Sequence, residues 1–130
     1  MILKGRMVYK GSAKGTALVS AEAVSFYGGV DPVTGKVVEK GHPLEGQAVT
    51  GKVLVFPTGK GSTVGSYIIY DMKKRGTAPA AIVNNEIETI IAVGAIIAEI
   101  PCVDKIDIDQ IKDGDTVVLN ADNATVEVAK

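Results

Sequence analysis

The chain has 130 residues, of which 46% are hydrophobic and 22% charged, with 14 Lys plus Arg against 15 Asp plus Glu. That length suits one domain, expected to span residues 1–130, and the composition excludes a mainly disordered chain. A net charge of −1, 5% aromatics and no Trp supply neither the positive field nor the stacking surfaces of a nucleic-acid binder, so no nucleic-acid partner is expected.

The core residues are chosen for sheet: 13 Ile and 18 Val stand against 5 Leu, and β-branched side chains favour strands. One cysteine, Cys102, and one histidine, His42, exclude an internal disulfide framework and a structural zinc site. The start, MILKGRMVYKGSAKG, carries no long apolar stretch, and the longest apolar run, Ile90 to Ala98, is too short to span a bilayer. A cytoplasmic protein with no membrane partner is expected. A domain this small buries about two-thirds of its unfolded surface. It cannot easily enclose a catalytic pocket, so any active site is expected to be shared with a partner.

In chain order, Leu3 to Tyr9 is a predicted strand, Gly11 to Gly15 a turn and Thr16 to Ser20 a second strand. Residues 25 to 51 change character, with six Gly and two Pro in 27 residues. A loop of that length in a compact domain is usually functional; Asp31 to Gly35 is its expected turn, before a short ribbon from Lys36 to Glu39. Lys52 to Pro57 is a continuous apolar strand of the kind covered on both faces. Ser62 or Thr63 then caps a helix running to about Lys74, ended by Gly76. Ala80 to Val83 is predicted as a strand, Glu86 to Val93 as a helix and Ala95 to Ala98 as a further strand. Asp107 to Lys112 is a short helical turn, and Thr116 to Asn120 with Thr125 to Ala129 form a hairpin. This pattern predicts an α/β chain: a three-layer β/β/α domain with a small parallel central sheet and antiparallel ribbons.

The most informative stretch is Pro57-Thr58-Gly59-Lys60-Gly61-Ser62-Thr63-Val64-Gly65-Ser66. It follows a buried strand and opens a helix, where free N–H groups and the helix dipole favour an anion. It is not a P-loop, because Gly61 separates Lys60 from Ser62. It is not a dinucleotide fingerprint either, because Gly59, Gly61 and Gly65 are spaced one residue too far. A helix cap with turn glycines and a ligand site remain as alternatives. Ser62 can be an N-cap, or a proton acceptor whose alkoxide is stabilised by the helix end; with His42 the sole histidine, no Ser-His-Asp triad is available. Ser25-Phe26-Tyr27-Gly28-Gly29-Val30-Asp31 reads either as a packed turn or as a substrate-contacting loop. His42 could carry a phosphoryl group or bind metal, although a lone loop histidine usually does neither. Cys102 reads as a small core hydrophobe. Asn123-Ala124-Thr125 fits a glycosylation sequon but sits in a tight turn.

Taken in order, Gly11-x-Ala13-x-Gly15, Ser25 to Asp31, His42-Pro43-Leu44-x-Gly46, Gly51 to Leu54, Gly59-Lys60-Gly61-Ser62-Thr63 and Ala78-Pro79-Ala80-Ala81-Ile82 resemble the small subunit of aconitase X, over nearly the whole chain from about Leu3 to Val128. The resemblance implies the swivelling β/β/α domain of the aconitase superfamily. It implies a separate large subunit holding a [4Fe-4S] iron–sulfur cluster on its own cysteines. The implied reaction is dehydration of (R)-5-phosphomevalonate, a phosphorylated carboxylate, to trans-anhydromevalonate 5-phosphate, with Ser62 as proton acceptor. Lys60, Gly61, Thr63, Gly28 and Gly29 are the expected substrate-binding residues, and no metal ligand is expected in this chain. Relatives of this kind also dehydrate cis-3-hydroxy-L-proline, which is the alternative substrate. A phosphohistidine-carrier swivelling domain using His42 is the alternative from another class, and a non-catalytic anion-binding or assembly module a third. Phe26 to Asp31 and Gly59 to Gly65 are expected on one face, at strand ends. The chain alone is expected to bind no iron, since a cluster needs several thiolates.

Overall fold

The computed structural model describes residues 1–129. In chain order the elements are Ile2–Lys4 (β1), Arg6–Tyr9 (β2), Ser12–Val19 (β3), Val53–Phe56 (β4), Val64–Arg75 (α1), Ala81–Asn84 (β5), Thr89–Ala98 (α2), Cys102–Asp104 (β6), Thr116–Asn120 (β7) and Thr125–Ala129 (β8), with a 3-10 turn at Ile108–Gln110. Among the described residues the strands form one eight-stranded sheet in the order β1-β8-β7-β3-β4-β5-β6-β2.

The predicted first strand is two strands. β1 pairs with β8 at one end of the sheet and β2 with β6 at the other, separated in the chain by Gly5 alone. The sheet therefore rolls until its ends meet. Gly5 sits at the junction: its N–H donates to the Ala124 carbonyl at 2.8 Å, and a Cβ there would overlap the carbonyl of Asp104. Rolling leaves no long free edge to recruit another chain.

β3 belongs to both layers. Ser12 to Thr16 pair antiparallel with β7, and Ala17 to Val19 pair parallel with β4. β4, β5 and β6 continue in parallel. The two crossovers pass through α1 and α2, and the handedness rule for such units places both helices on one face. Alternation in the strands divides the core. Val53, Val55, Val83 and Val103 pack with Val117, Leu119, Val126 and Val128 inside the roll. Leu54, Phe56 and Ile82 face Ile69, Met72, Ile91 and Ala95 of the helices, together with Val24, Phe26, Val30, Val37, Leu44 and Val49 of the long loop. Ribbon, central sheet and helices make the expected three β/β/α layers.

Two further assignments need correction. Ser12 to Gly15 are strand, not turn, although Gly11 keeps turn geometry with φ 119°. The residues expected as a strand at Ala95 to Ala98 lie in the second half of α2, and the strand that follows α2 is Cys102–Asp104. Glu88 starts that helix by accepting from the Ile90 N–H, and Glu99 ends it in the left-handed region at φ 55°. Gly94, inside α2, gives the sequence its apparent break. It is where α1 packs tightly: a Cβ there would lie 2.5 Å from Ile69 Cδ1 and 3.2 Å from Ile69 Cβ. Gly94→Val should accordingly cost about 1–3 kcal/mol through overpacking, read as a lower urea midpoint at unchanged slope.

The long loop is ordered by its own contacts. Asp31 accepts from the Val33 N–H at 2.9 Å and the Thr34 hydroxyl at 3.1 Å, which hold its carboxyl below the ordinary carboxylate range. The Gly35 N–H closes the expected turn on the Asp31 carbonyl at 2.8 Å.

Candidate active site

Four strands end at the same edge of the parallel sheet: β3 at Val19 and the fully buried β4 at Phe56, β5 at Asn84 and β6 at Asp104. Ligand sites in parallel sheets form beyond such C-terminal ends. Beyond β4 the chain runs through Thr58 to Thr63 into α1. This stretch is held beside the 24–29 loop: the Val24 N–H donates to the Thr58 carbonyl at 3.3 Å, and the Lys60 N–H to the Val24 carbonyl at 3.1 Å. The expected juxtaposition of the two glycine-rich loops is thus present.

Glycine makes the approach possible. Gly61 has φ 100°, a value that disfavours side chains, and a Cβ there would stand 2.5 Å from Ser25 Oγ. A Cβ on Gly59 would overlap Ile91 of α2, and Gly65 lies next to the Tyr27 N–H. Gly28 occupies the left-handed region at φ 83° with open space around it, whereas Gly29 lies against the Ser25 carbonyl.

Ser62 Oγ accepts from the Val64 N–H at 3.2 Å. Thr63, in the N-cap position, makes no side-chain cap bond, so Ser62 is the hydroxyl that serves the helix start. The arrangement serves both readings of the residue: a cap, and an oxygen whose negative form is stabilised by a helix N–H and dipole. Ser62, Lys60, Gly61 and Thr63 are all solvent-exposed. Lys60 Nζ does not stand free. It pairs with Glu39 Oε2 at 3.0 Å.

His42 sits outside this cluster. It is buried, its Nε2 lies 3.0 Å from the Ala23 carbonyl, and its Nδ1 accepts from the Leu44 N–H at 3.0 Å. Both ring nitrogens are engaged, so the ring pins its loop rather than presenting a free nitrogen. Cys102 is fully buried; burial, then the nearby Asp104 charge, push its thiol far up, which suits a core side chain. No three His, Cys, Asp or Glu side chains gather as metal ligands among the described residues. The donor set of this chain does not fit an iron–sulfur cluster.

Two carboxylates at the site are not found by sequence reasoning. Glu39 is one. Glu88 is the other: its Oε2 caps α2, its Oε1 is buried without a partner, and Gly59 packs beside it. An acid just before an apolar helix is the available signal for Glu88. Nothing in the local sequence links Glu39 to Lys60.

The chain matches the aconitase X swivel domain over residues 2–128. It is 55% identical over 130 residues to the phosphomevalonate dehydratase small subunit of Methanosarcina mazei, covering 98% of this chain and 90% of that one. A chain in the crystal structure of Thermococcus kodakaraensis aconitase X, holo-form, superposes with a TM-score of 0.98 at 50% identity, covering 100% of this chain and 99% of that one. A 3-isopropylmalate dehydratase from Methanocaldococcus jannaschii shares the fold alone, with a TM-score of 0.60 at 20% identity over 92% of this chain and 84% of its own. With its rolled mixed sheet, two helices on one face and a match that runs nearly end to end, the chain belongs to the aconitase X swivel-domain family.

Proposed function

We propose that residues 1–130 form one swivelling domain, the small subunit of a cytoplasmic hydro-lyase that dehydrates (R)-5-phosphomevalonate to trans-anhydromevalonate 5-phosphate. The observation that carries the reading is identity above 50% over nearly full length to chains named phosphomevalonate dehydratase small subunit, in both Methanosarcina and Thermococcus. In this reading a large subunit holds the [4Fe-4S] cluster and docks against the exposed strand-end face around Tyr27, Val64 and Tyr67. No helix of the described residues is long and apolar enough to cross a membrane.

This chain supplies the proton acceptor. Dehydration β to a carboxylate removes a carbon-bound proton and a hydroxyl. As the alkoxide, Ser62 Oγ takes the proton from the carbon next to the carboxylate and becomes a hydroxyl, which returns that proton to solvent after turnover; the electron pair left behind forms the double bond as the substrate hydroxyl departs. A serine hydroxyl loses its proton only far above neutral pH, so the alkoxide that can act as base is scarce unless its charge is stabilised. The Val64 N–H and the α1 N-terminus lower the cost of the alkoxide by placing positive partial charge on it before the reaction begins. Lys60 and the backbone of Gly61 and Thr63 bind the substrate's anionic groups, Gly28 leaves room for it, and Gly29 lets the loop close tightly on Ser25 beside it. The departing hydroxyl is handled by groups that this chain does not carry.

The substrate is tested by assaying the two-subunit enzyme on both candidates. Phosphomevalonate is expected to turn over with the higher kcat/KM, and faster turnover of cis-3-hydroxy-L-proline would overturn the assignment.

A further inference from the structure

We propose that Glu39 competes within the chain with the anion that Lys60 binds, which makes it the residue that sets the anion affinity of the site. This rests on the reading above, in which Lys60 holds an anionic group of the substrate.

The geometry is built from three segments. The ribbon expected at Lys36 to Glu39 is reduced to isolated bridges at Lys36 and Val37; Glu39 lies just beyond them, and its N–H donates to the Gly29 carbonyl at 3.3 Å. Its Oε2 meets Lys60 Nζ at 3.0 Å. Its Oε1 lies against Gly29, where a Cβ would stand 3.3 Å away and would also overlap the Ser25 carbonyl. Gly29 thus gives the Glu39 carboxylate a seat beside Lys60. The backbone of Lys60 is tied down by its N–H on Val24, so its side chain is the part free to exchange partners.

The pair is strong enough to occupy Lys60 and weak enough to break. Its side chains are 46% and 31% exposed, and exposed pairs of this kind contribute little. A phosphate or carboxylate held by additional contacts displaces Glu39. A free inorganic anion with the same single contact must compete with a carboxylate that is always present at high effective concentration. Glu39 therefore keeps the loop near neutral until the substrate arrives, and raises the concentration at which abundant small anions occupy it.

The test uses the full chain assembled with its large subunit, as wild type, Glu39→Gln, Lys60→Met and the double variant, with inorganic phosphate as the probe. Phosphate binding is read directly by titration and as competitive inhibition. Glu39→Gln is expected to tighten phosphate binding about two- to fivefold, the size of an exposed ion pair, and to lower KM for the phosphorylated substrate more than it changes kcat. In the Lys60→Met background the same change should have no effect on phosphate. Unchanged or weaker phosphate binding in Glu39→Gln would overturn the proposal, since Glu39 would then only position Lys60 or do nothing. Equal tightening in the Lys60→Met background would overturn it too, because Glu39 would then act on the anion without Lys60. The two readings fail separately: absence of phosphomevalonate turnover in the wild-type complex removes the functional assignment, while the phosphate titration still decides the role of Glu39.

Discussion

Ser62→Ala should leave the two-subunit enzyme assembled and lower kcat by about 10²–10⁴-fold, the usual effect of losing a general base. That corresponds to about 3–5 kcal/mol of barrier at 1.36 kcal/mol per factor of ten. The structural cost is expected to be small. Ser62 Oγ makes one bond to the helix start, from the Val64 N–H, and losing such a cap typically costs about 1 kcal/mol. The two roles therefore separate by orders of magnitude. Steady-state kinetics with a check of assembly decides between them: a kcat near wild type in the intact complex would leave Ser62 as a helix cap and remove the base.

The second large effect is on folding. Asp104 is fully buried, yet it ends β6 as a carboxylate. Arg6 grips it with two bonds, Nε to Oδ1 at 2.9 Å and Nη2 to Oδ2 at 2.8 Å, and the Ile87 N–H adds a third at 3.0 Å. This one side chain joins β2 to β6 and fixes the turn before α2, and through α2 it supports the surface on which Gly59 rests. Asp104→Ala should cost about 2–4 kcal/mol, from a stranded N–H and the loss of charge-assisted bonds. The half-exposed Arg6 recovers water and keeps the figure from going higher.

The pH dependence of that loss is also fixed. Burial alone would raise the Asp104 carboxyl, but the Arg6 hydrogen bonds, the Ile87 N–H and the charges of Arg6 and Lys105 outweigh it and hold the group below the ordinary carboxylate range. A depressed folded pKa contributes stability above the unfolded value of about 3.9, and that stability is lost as pH falls through the folded value. The gap between wild type and Asp104→Ala in urea unfolding should be full at neutral pH and shrink in acid. A gap that is the same at every pH would mean that Asp104 acts through packing alone.

How much of the fold is legible in the sequence depends on where the signal lies. α1 is readable because its stop is local: Lys73, Lys74 and Arg75 in the last turn, then Gly76 in the left-handed region at φ 82°. The β7–β8 hairpin is readable from alternation, with Val117, Leu119, Val126 and Val128 all turned inward. α2 and β6 are not. TIIAVGAIIA carries no charge and no polar face to mark a helical stripe, so a buried helix and a buried strand look alike. Its Gly94 reads as a break but marks a close approach to Ile69. The turn expected at 11–15 fails for a related reason: Gly15 is strand because β3 pairs with β7, where it lies opposite Val117, and no local rule reports a partner about 100 residues away.

The same division holds at the site. Glycines, hydroxyls and a lysine crowded ahead of α1 single out Lys60, Gly61, Ser62 and Thr63 from the sequence alone. Glu39 cannot be found that way, because its partner Lys60 is 21 residues away and the pairing exists only once the long loop folds over β4. His42 looks reactive in isolation, and its tertiary contacts turn it into a pin.

The most direct test of the central claim is a three-way assay of phosphomevalonate dehydration: this chain alone, the large subunit alone, and the two mixed. No turnover is expected from either alone, and trans-anhydromevalonate 5-phosphate should form when they are combined. Turnover by this chain alone, or none from the assembled pair carrying its cluster, would contradict the claim.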